Sequence, residues 1–269
     1  ARFYVHVLHD LGYLPFNENL YLDPQREDVR LMRLPLPQYQ VVFFNYLNKN
    51  LKESPVRVSL AKLISREAIL ESAWGNNAQI ASSLFDFYSP SPDTQAQKTD
   101  PETAKNLLEA AGWKKNVSTG IWEKNGQPLT LRLFTNDFLP NARAAEQLAQ
   151  TFRAFGIELI LNILPSKQLS DSHIKPRDFD ILLFTQKFGS DPDPFAFWHS
   201  SQIKDPGLNL SGFEDPEADK LLTAARTTTD KALRQAKYEQ LKGLLKDRVP
   251  VVFLTQTVYT YALDKNIKG

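Results

Sequence analysis

The chain has 269 residues, of which 42% are hydrophobic and 23% are charged, as is ordinary for a globular protein with a sizeable core. Its 32 basic and 31 acidic side chains give a net charge of +1, which provides no electrostatic reason to expect nucleic acid or an anionic membrane as a partner. Cysteine is absent, which excludes thiol catalysis, cysteine-bound zinc, iron–sulfur clusters and disulfides.

The first third of the chain contains an irregular lead, a strand and a long helix. Prolines punctuate residues 1–37, and the opening ten residues lack the basic start, apolar middle and cleavage site of a signal peptide. We therefore expect a cytoplasmic protein, or one whose export segment is missing from this chain. Residues 39–46 (YQVVFFNY) form the first clear strand, with 28–34 (DVRLMRL) as a possible partner strand. Apolar residues at helical spacing predict one helix over 56–74.

From residue 98 onward, helices alternate with apolar strands. Helices are predicted at 100–111, 142–155, 166–172, 215–228 and 230–248, and strands at 129–135, 157–164, 179–186 and, as one or two strands, 249–263. Asn125-Gly126 predicts a hairpin turn, because both residues tolerate positive φ. A strand, a helix and another strand in succession make a crossover with two parallel strands. The fold class is therefore α/β, a mixed and mostly parallel sheet flanked by helices.

The stretch 188–202 (FGSDPDPFAFWHSSQ) follows directly after the buried strand 179–186. Ligand sites in α/β sheets gather at the carboxyl ends of strands. Asp191 and Asp193 are two residues apart on a proline-stiffened loop, a poor arrangement for a catalytic carboxylate pair, and Asp193 is expected to cap the next turn. The aromatics Phe195, Phe197 and Trp198 form either a ligand platform or part of the core, and general burial tendencies favour the core.

Other polar residues give weaker signals. His6 and His9 have ligand-like spacing, but no third ligand is near them in sequence, so no metal site is predicted. Arg57 and Arg66 either pair with acids or lie, by default, on a solvated face. The turn 209–212 is expected to be structural. The sequence contains no G-x-S-x-G elbow, Walker loop or H-E-x-x-H motif, and we predict no enzyme activity, catalytic residue or cofactor.

Six segments carry a resemblance to a known family, and they occur in that family's order. They are VVFFNYLNKN with SPVRVSLAKLISREAIL (41–70), DPETAKNLLEAAGW (100–113), FGIELIL (155–161), RDFDILLFTQKFGSDPDPFAFW (177–198), NLSGFEDPEADKLL (209–222) and VPVVFL (249–254). Together they resemble the family 5 extracellular solute-binding proteins, the oligopeptide, dipeptide and nickel receptors of bacterial ABC importers. Two positions depart from the family pattern: Ser54-Pro55 stands in an acidic region, and Ser65 replaces an aspartate.

The resemblance implies a periplasmic-binding-protein-like lobe (type II, cluster C). Full members are about twice this length and close two lobes around a ligand, in line with the general clamshell mode of binding. Residues 38–269 would be the second, C-terminal lobe, and 1–37 a connecting segment from the missing first lobe. The hinge strands would lie near 39–46 and 250–256.

The implied function is that of the substrate-binding component of an ABC importer, located outside the cytoplasm as a periplasmic protein or membrane-anchored lipoprotein. Its partners would be a small, oligopeptide-like solute, the importer's membrane subunits and the missing first lobe, with no nucleic acid bound by this chain. The alternative is a solute-sensing domain of a transcription regulator, which would reach DNA through another domain.

The implied ligand-binding residues are those around the end of the strand 179–186, and no metal ligand is among them. They are Lys187, Phe188, Gly189, Ser190, Asp191 and Trp198. Peptide receptors of the family place an aspartate in this loop against the ligand's α-amino group, and either Ser190 or Asp191 occupies that position here. Gln186 or Lys187 stands where the family has a tryptophan. Lys187 suits an anionic or hydroxyl-rich ligand as easily as it disfavours a peptide amine.

Overall fold

The computed structural model describes residues 29–81, 98–187 and 193–264. Its strands are β1 (Val29–Phe44), β2 (Ala78–Ile80), β3 (Lys114–Lys115), β4 (Trp122–Lys124), β5 (Gln127–Pro128), β6 (Thr130–Asn136), β7 (Glu158–Leu164), β8 (Ile181–Lys187) and β9 (Val251–Asp264). Its α-helices are α1 (Ser54–Leu63), α2 (Arg66–Ile69), α3 (Pro101–Ala110), α4 (Leu139–Phe155), α5 (Ser166–Leu169), α6 (Phe195–Trp198), α7 (Pro216–Thr227) and α8 (Lys231–Arg248).

The main sheet has the strand order β2-β9-β1-β8-β6-β7. β6 pairs in parallel with both β7 and β8, as the predicted strand–helix–strand crossover requires. β1 is antiparallel to β8 and β9, and β2 is antiparallel to β9. Within this sheet of the described residues, β6, β7, β8 and β9 therefore run in one direction, and β1 and β2 run against them. The mixed α/β sheet flanked by helices is as the sequence predicts.

The sheet is buried on both faces, which explains the uninterrupted apolar run in the centre of β1. Val42 and Phe44 pack toward α1, α3 and α4, and their neighbours Val41 and Phe43 pack toward α7 and α8. Successive side chains of a strand point to opposite faces. A strand with helices on both sides therefore needs an apolar residue at every position.

The prediction that 28–34 pairs with 39–46 is wrong for the described residues. Residues 29–34 and 39–44 belong to one long strand, β1, and residues of both parts pair with β9. Only 38–44 also pairs with β8, so Pro35 and Pro37 lie where β1 lacks that second neighbour. Proline has no N–H to donate, and this is the part of a strand that accommodates it.

The single helix predicted over 56–74 is interrupted. α1 ends at Leu63, Ile64 and Ser65 are extended, and the Ser65 hydroxyl accepts a hydrogen bond from the Ala68 N–H to cap α2. Serine competes for backbone groups in this way and so starts a new helix within a continuous helical pattern. A short π-helix, Leu70–Trp74, completes the segment.

The predicted hairpin is confirmed at its turn and shorter than expected in its second arm. Asn125 and Gly126 have φ of 53° and 70°, the left-handed conformation that the turn requires. β4 pairs with β5 over this turn. The residues after Leu129 leave the hairpin and form β6 of the main sheet.

Arg57 contradicts both expectations for it, since it is buried and its hydrogen bonds within the described residues go to backbone carbonyls and not to an acid. It is 3% exposed and donates to the carbonyls of Leu51, Lys52 and Arg248 at 2.7, 2.9 and 2.9 Å. Its guanidinium lies 3.9 Å from the ring centroid of Tyr46, whose hydroxyl also donates to the Arg248 carbonyl. Burial raises the pKa of Tyr46 to about 12.

Arg66 is also bound to backbone, because its Nε donates to the Phe253 carbonyl at 2.7 Å. This contact ties the start of α2 to β9. Both arginines thus join helices to neighbouring segments through backbone carbonyls, a role that the expected solvated face did not predict.

Two fully buried threonines differ in whether their hydroxyl has a partner, and this difference predicts opposite effects of the same substitution. Thr135 of β6 donates to the Leu183 carbonyl at 2.8 Å, whereas Thr255 of β9 has no side-chain hydrogen-bond partner among the described residues. Thr135→Val should lower the free energy of unfolding by about 1 kcal/mol, and Thr255→Val should leave it unchanged or raise it by about 1 kcal/mol. Urea unfolding measures both, and equal losses would contradict the assignment.

Candidate functional site

The candidate site lies at the edge of the sheet where β6 and β8 end. Lys187 closes β8 and stands opposite Gln38 of β1, and β6 leads through Asp137 into the start of α4. Phe138 and Leu139 at that start are 45% and 57% exposed, and Lys187 is exposed as well. Apolar and cationic side chains therefore meet solvent at one edge, which suits a ligand with both kinds of group.

Lys187 belongs to the face of the sheet that α4 covers. Thr185, two residues earlier, donates from its hydroxyl to the Asn141 side chain of α4 at 2.7 Å. Side chains two apart on a strand point to the same face. The end of β8 thus directs Lys187 toward the side on which Phe138 and Leu139 are exposed.

A buried glutamine links several parts of this edge. Gln40 of β1 is 1% exposed, and its Nε2 donates to Asn141 Oδ1 at 2.9 Å and to the Pro140 carbonyl at 3.1 Å. Its Oε1 accepts from the indole Nε1 of Trp74 at 3.1 Å. Both ends of the amide are therefore bonded, as a buried polar group requires.

The network continues from Asn141 along the edge. Asn141 is 0% exposed, and its Nδ2 donates to Asn136 Oδ1 at 2.8 Å, at the end of β6. Asn136 Nδ2 in turn donates to the Ser166 hydroxyl at 3.2 Å. None of these residues was predicted from the sequence, although Gln40 and Thr185 are polar residues within apolar strands and so carried a visible signal.

An aromatic pair forms part of the same edge. The rings of Trp74 and Phe138 meet edge to face, with centroids 5.9 Å apart and planes at 67°. Trp74 is 9% exposed, so Phe138 presents most of the pair's free surface. The site thus combines an aromatic wall, the apolar Leu139 and the cation Lys187.

The sequence-predicted ligand residues fall in different places. Lys187 is at the edge, whereas Phe188, Gly189, Ser190 and Asp191 lie outside the described residues. Trp198 is 2% exposed and packs in the core on the face covered by α7 and α8. This burial agrees with the core interpretation of the aromatic cluster, and direct ligand contact by Trp198 stays a prediction.

The residues around Trp198 have structural roles. Asp193 accepts from the Phe195 N–H at 3.0 Å and from Arg226 Nε at 2.8 Å, which confirms that it caps the turn before α6. His199 stacks on Phe195 with centroids 4.1 Å apart. Asn209 is fully buried and donates to the Phe213 carbonyl at 2.8 Å, in agreement with a structural turn at 209–212.

Within residues 29–81, 98–187 and 193–264, no group of three or more histidine, aspartate or glutamate side chains is placed to hold a metal ion. The histidines His6 and His9 lie outside those ranges. In the same ranges, no helix has the length and apolar character needed to cross a bilayer.

A family model for bacterial extracellular solute-binding proteins, family 5 (middle), matches residues 11–208. The chain belongs to this family. The resemblance to this family is thereby confirmed, and four of the six segments lie within the matched residues. The match begins before residue 38, and the proposed boundary at 37/38 falls inside the continuous strand β1.

Similar family 5 solute-binding proteins include peptide and nickel binders. The oligopeptide-binding protein AppA of Bacillus subtilis is 28% identical over 240 residues, which cover 86% of this chain and 44% of AppA. The nickel-binding periplasmic protein of Escherichia coli is 28% identical over 216 residues, covering 77% of this chain and 41% of that protein. The chain therefore spans about half the length of the curated relatives it matches.

Solved structures of family 5 solute-binding proteins show the same fold. The crystal structure of Bacillus subtilis AppA in complex with a nonapeptide matches with a TM-score of 0.80 at 25% identity, over 98% of this chain and 54% of that one. NikZ from Campylobacter jejuni in complex with Ni(L-His) matches with a TM-score of 0.77 at 25% identity, over 98% and 54% of the two chains. The prediction of a periplasmic-binding-protein-like lobe is thus confirmed.

Proposed function

We propose that this chain is the second, C-terminal lobe of a substrate-binding component of an ABC importer, which encloses a small, peptide-like solute between two lobes. The observation that carries the proposal is the family membership of a chain that spans about half of its relatives. A solvent-facing edge with Lys187, Phe138 and Leu139 supports it, because a lobe that closes on a partner must expose its binding wall when alone.

The proposal covers the partners, the location and the absence of catalysis. The partners are the solute, the first lobe and the importer's membrane subunits, and the protein works outside the cytoplasm as a periplasmic protein or a lipoprotein. It is a binding protein without enzyme activity, cofactor or bound metal. The relatives named above are binding proteins for an oligopeptide and for nickel, which supports an importer component over the sensing domain of a transcription regulator.

The proposed solute contacts follow the end of β8. Lys187 and the loop residues Phe188, Gly189, Ser190 and Asp191 would line the cleft, with Ser190 or Asp191 as anchor for an amine and Lys187 as partner for a carboxylate. Trp198 would support this loop from the core. β1 near 39–46 and β9 near 250–256 would act as the hinge strands. They would join this lobe to the connecting segment 1–37 and the first lobe.

The proposal is tested by calorimetry with the full-length protein and defined probes: a dipeptide, a nonapeptide and Ni(II) with L-histidine. We expect one of the peptides to bind, and Lys187→Gln to weaken that binding about 10-fold, because a hydrogen bond to a charged group is lost. Lys105→Gln, at an exposed position of α3, is the matched control and should leave affinity unchanged. Equal affinities for the wild type and Lys187→Gln would refute the role of Lys187.

The isolated 269-residue chain provides a second test. One lobe supplies only part of the enclosing surface, so peptide binding by this chain alone should be at least about 100-fold weaker than binding by the full-length protein. Equal affinities of the isolated chain and the full-length protein would refute the two-lobe proposal.

A further inference from the structure

The side chains of Gln40 and Asn141 link β1 to several other elements of the site. Gln40 lies on β1, and its amide contacts Trp74 at the end of the π-helix and the first turn of α4. Asn141 in that turn contacts Thr185 of β8 and Asn136 of β6. Both side chains are almost completely buried, so solvent does not compete for these bonds.

Two of these bonds meet at a single atom, which makes the arrangement sensitive to movement. Asn141 Oδ1 accepts from Gln40 Nε2 at 2.9 Å and from the Thr185 hydroxyl at 2.7 Å. Gln40 and Thr185 are register partners on adjacent strands. A rotation of β1 relative to β8 therefore changes both distances to the same oxygen, and the side chain of Asn141 must follow.

Each contact ends beside a different wall of the solute site. Trp74 packs on the exposed Phe138, Asn141 follows Phe138 and Leu139 in the chain, and Thr185 is two residues before Lys187. We propose that Gln40 and Asn141 are a positioning pair that couples the orientation of the hinge strand β1 to these three walls, an inference that rests on the proposed function. Neither residue needs to touch the solute for this role.

Buried packing alone does not account for the pair. The neighbouring position on the same face of β1 is Val42, and Leu183 of β8 lies on that face as well, so apolar residues fill the adjacent space. A buried amide is costly unless each of its groups is bonded, and its directional bonds fix one geometry where an apolar side chain would accept several. The pair therefore specifies how β1, β8 and α4 are placed relative to one another.

The coupling is tested first without any solute, by 19F NMR of the 5-fluorotryptophan-labelled chain. The substitution is Thr185→Val, which removes the hydroxyl that donates to Asn141. If the pair couples β8 to the π-helix, the Trp74 resonance, assigned with Trp74→Phe, shifts or broadens. The control is Thr135→Val, since Thr135 donates to the Leu183 carbonyl outside the pair and should leave that resonance unchanged. A Trp74 resonance unaffected by Thr185→Val, or moved equally by the control, overturns the proposal.

Amide hydrogen exchange of Gln40→Met adds an independent measurement, because methionine keeps the length of the side chain and removes its bonds. We expect exchange to rise at least about 10-fold in 138–142 and 183–187, and to rise less in the distant helices α7 and α8. A uniform rise across the chain, or a rise confined to β1, overturns the proposal. Both measurements are made without solute. Failure to find a bound peptide would therefore refute the proposed function, and the NMR and exchange results would still decide whether the pair couples β1 to the other elements.

Discussion

Replacing Arg57 with methionine is expected to lower the free energy of unfolding by about 4 kcal/mol. Methionine fills a similar volume and removes every donor, which leaves the carbonyls of Leu51, Lys52 and Arg248 without the guanidinium. Each buried carbonyl that loses its donor costs about 1–3 kcal/mol, and the Arg248 carbonyl retains the Tyr46 hydroxyl. The effect is large because Arg57 also places a positive charge at the C-terminal end of α8, where the helix dipole favours it.

Arg153→Met is the matched control for this experiment. Arg153 also donates to a backbone carbonyl, that of Leu159 at 2.8 and 3.0 Å, but its side chain is exposed and water can replace it. The control should cost less than about 1 kcal/mol in urea unfolding. A similar small cost for Arg57→Met would show that the three carbonyls find other partners, and would refute the interpretation of Arg57 as a buried tie between α1, the preceding loop and α8.

Local hydrogen-bond signals were sufficient to predict many of the helix boundaries. Asp100, Asp215 and Asp230 each accept backbone N–H bonds at the start of the predicted helix. Gly156 ends α4 in the left-handed conformation. These features depend on residues that are close in sequence, which is why the sequence pattern alone located them.

The errors come from interactions that are distant in sequence or that compete locally. The apolar spacing of 56–74 continues through Ser65, so periodicity did not reveal that its hydroxyl begins a second helix. The true partner of residues 29–35 is the end of β9, more than 200 positions away, and no local feature of either segment specified that register. The mistaken strand partner followed directly from this.

The candidate site divides in the same way. Lys187 at the end of β8 was named through the family resemblance of a contiguous segment, and its contact with a ligand stays a prediction. The bond between Gln40 and Asn141 joins residues 101 positions apart, and the bond from Trp74 to Gln40 spans 34 positions. The hydrogen-bond partners of a buried amide can be identified only when the fold is known, because in the sequence each such residue is a single polar residue within a helix or strand.

The second large effect is expected at Gln256. Residues 29–35 of β1 and 258–264 of β9 form a two-stranded ribbon, and Gln256 lies where this ribbon joins the rest of the sheet. Between the pairs Pro35–Val258 and Tyr39–Gln256, β1 advances four residues while β9 advances two, so β1 bulges there. Gln256 is 2% exposed, and its Nε2 donates to the Leu36 carbonyl at 3.0 Å and to the Tyr39 hydroxyl at 3.2 Å. The Gln256 side chain thus bonds to β1 where the bulge interrupts the backbone hydrogen bonds between the two strands.

Gln256→Leu should therefore loosen the ribbon and leave most of the sheet intact. We expect local opening of 29–35 and 258–264 to become easier by about 2 kcal/mol, a roughly 30-fold faster amide exchange, because two donated bonds and one accepted bond are lost. Gln79→Leu is the control, because Gln79 donates one side-chain hydrogen bond, to Gln256 Oε1, and its loss should accelerate exchange only a few-fold. Unchanged ribbon exchange in Gln256→Leu would mean that the backbone ladder alone holds the bulge. Faster amide exchange in 29–35 and 258–264, with unchanged exchange in the rest of the sheet, would show that the Gln256 side chain holds this part of β1 and β9 in place. The proposed hinge strands would then open most easily beyond Gln256.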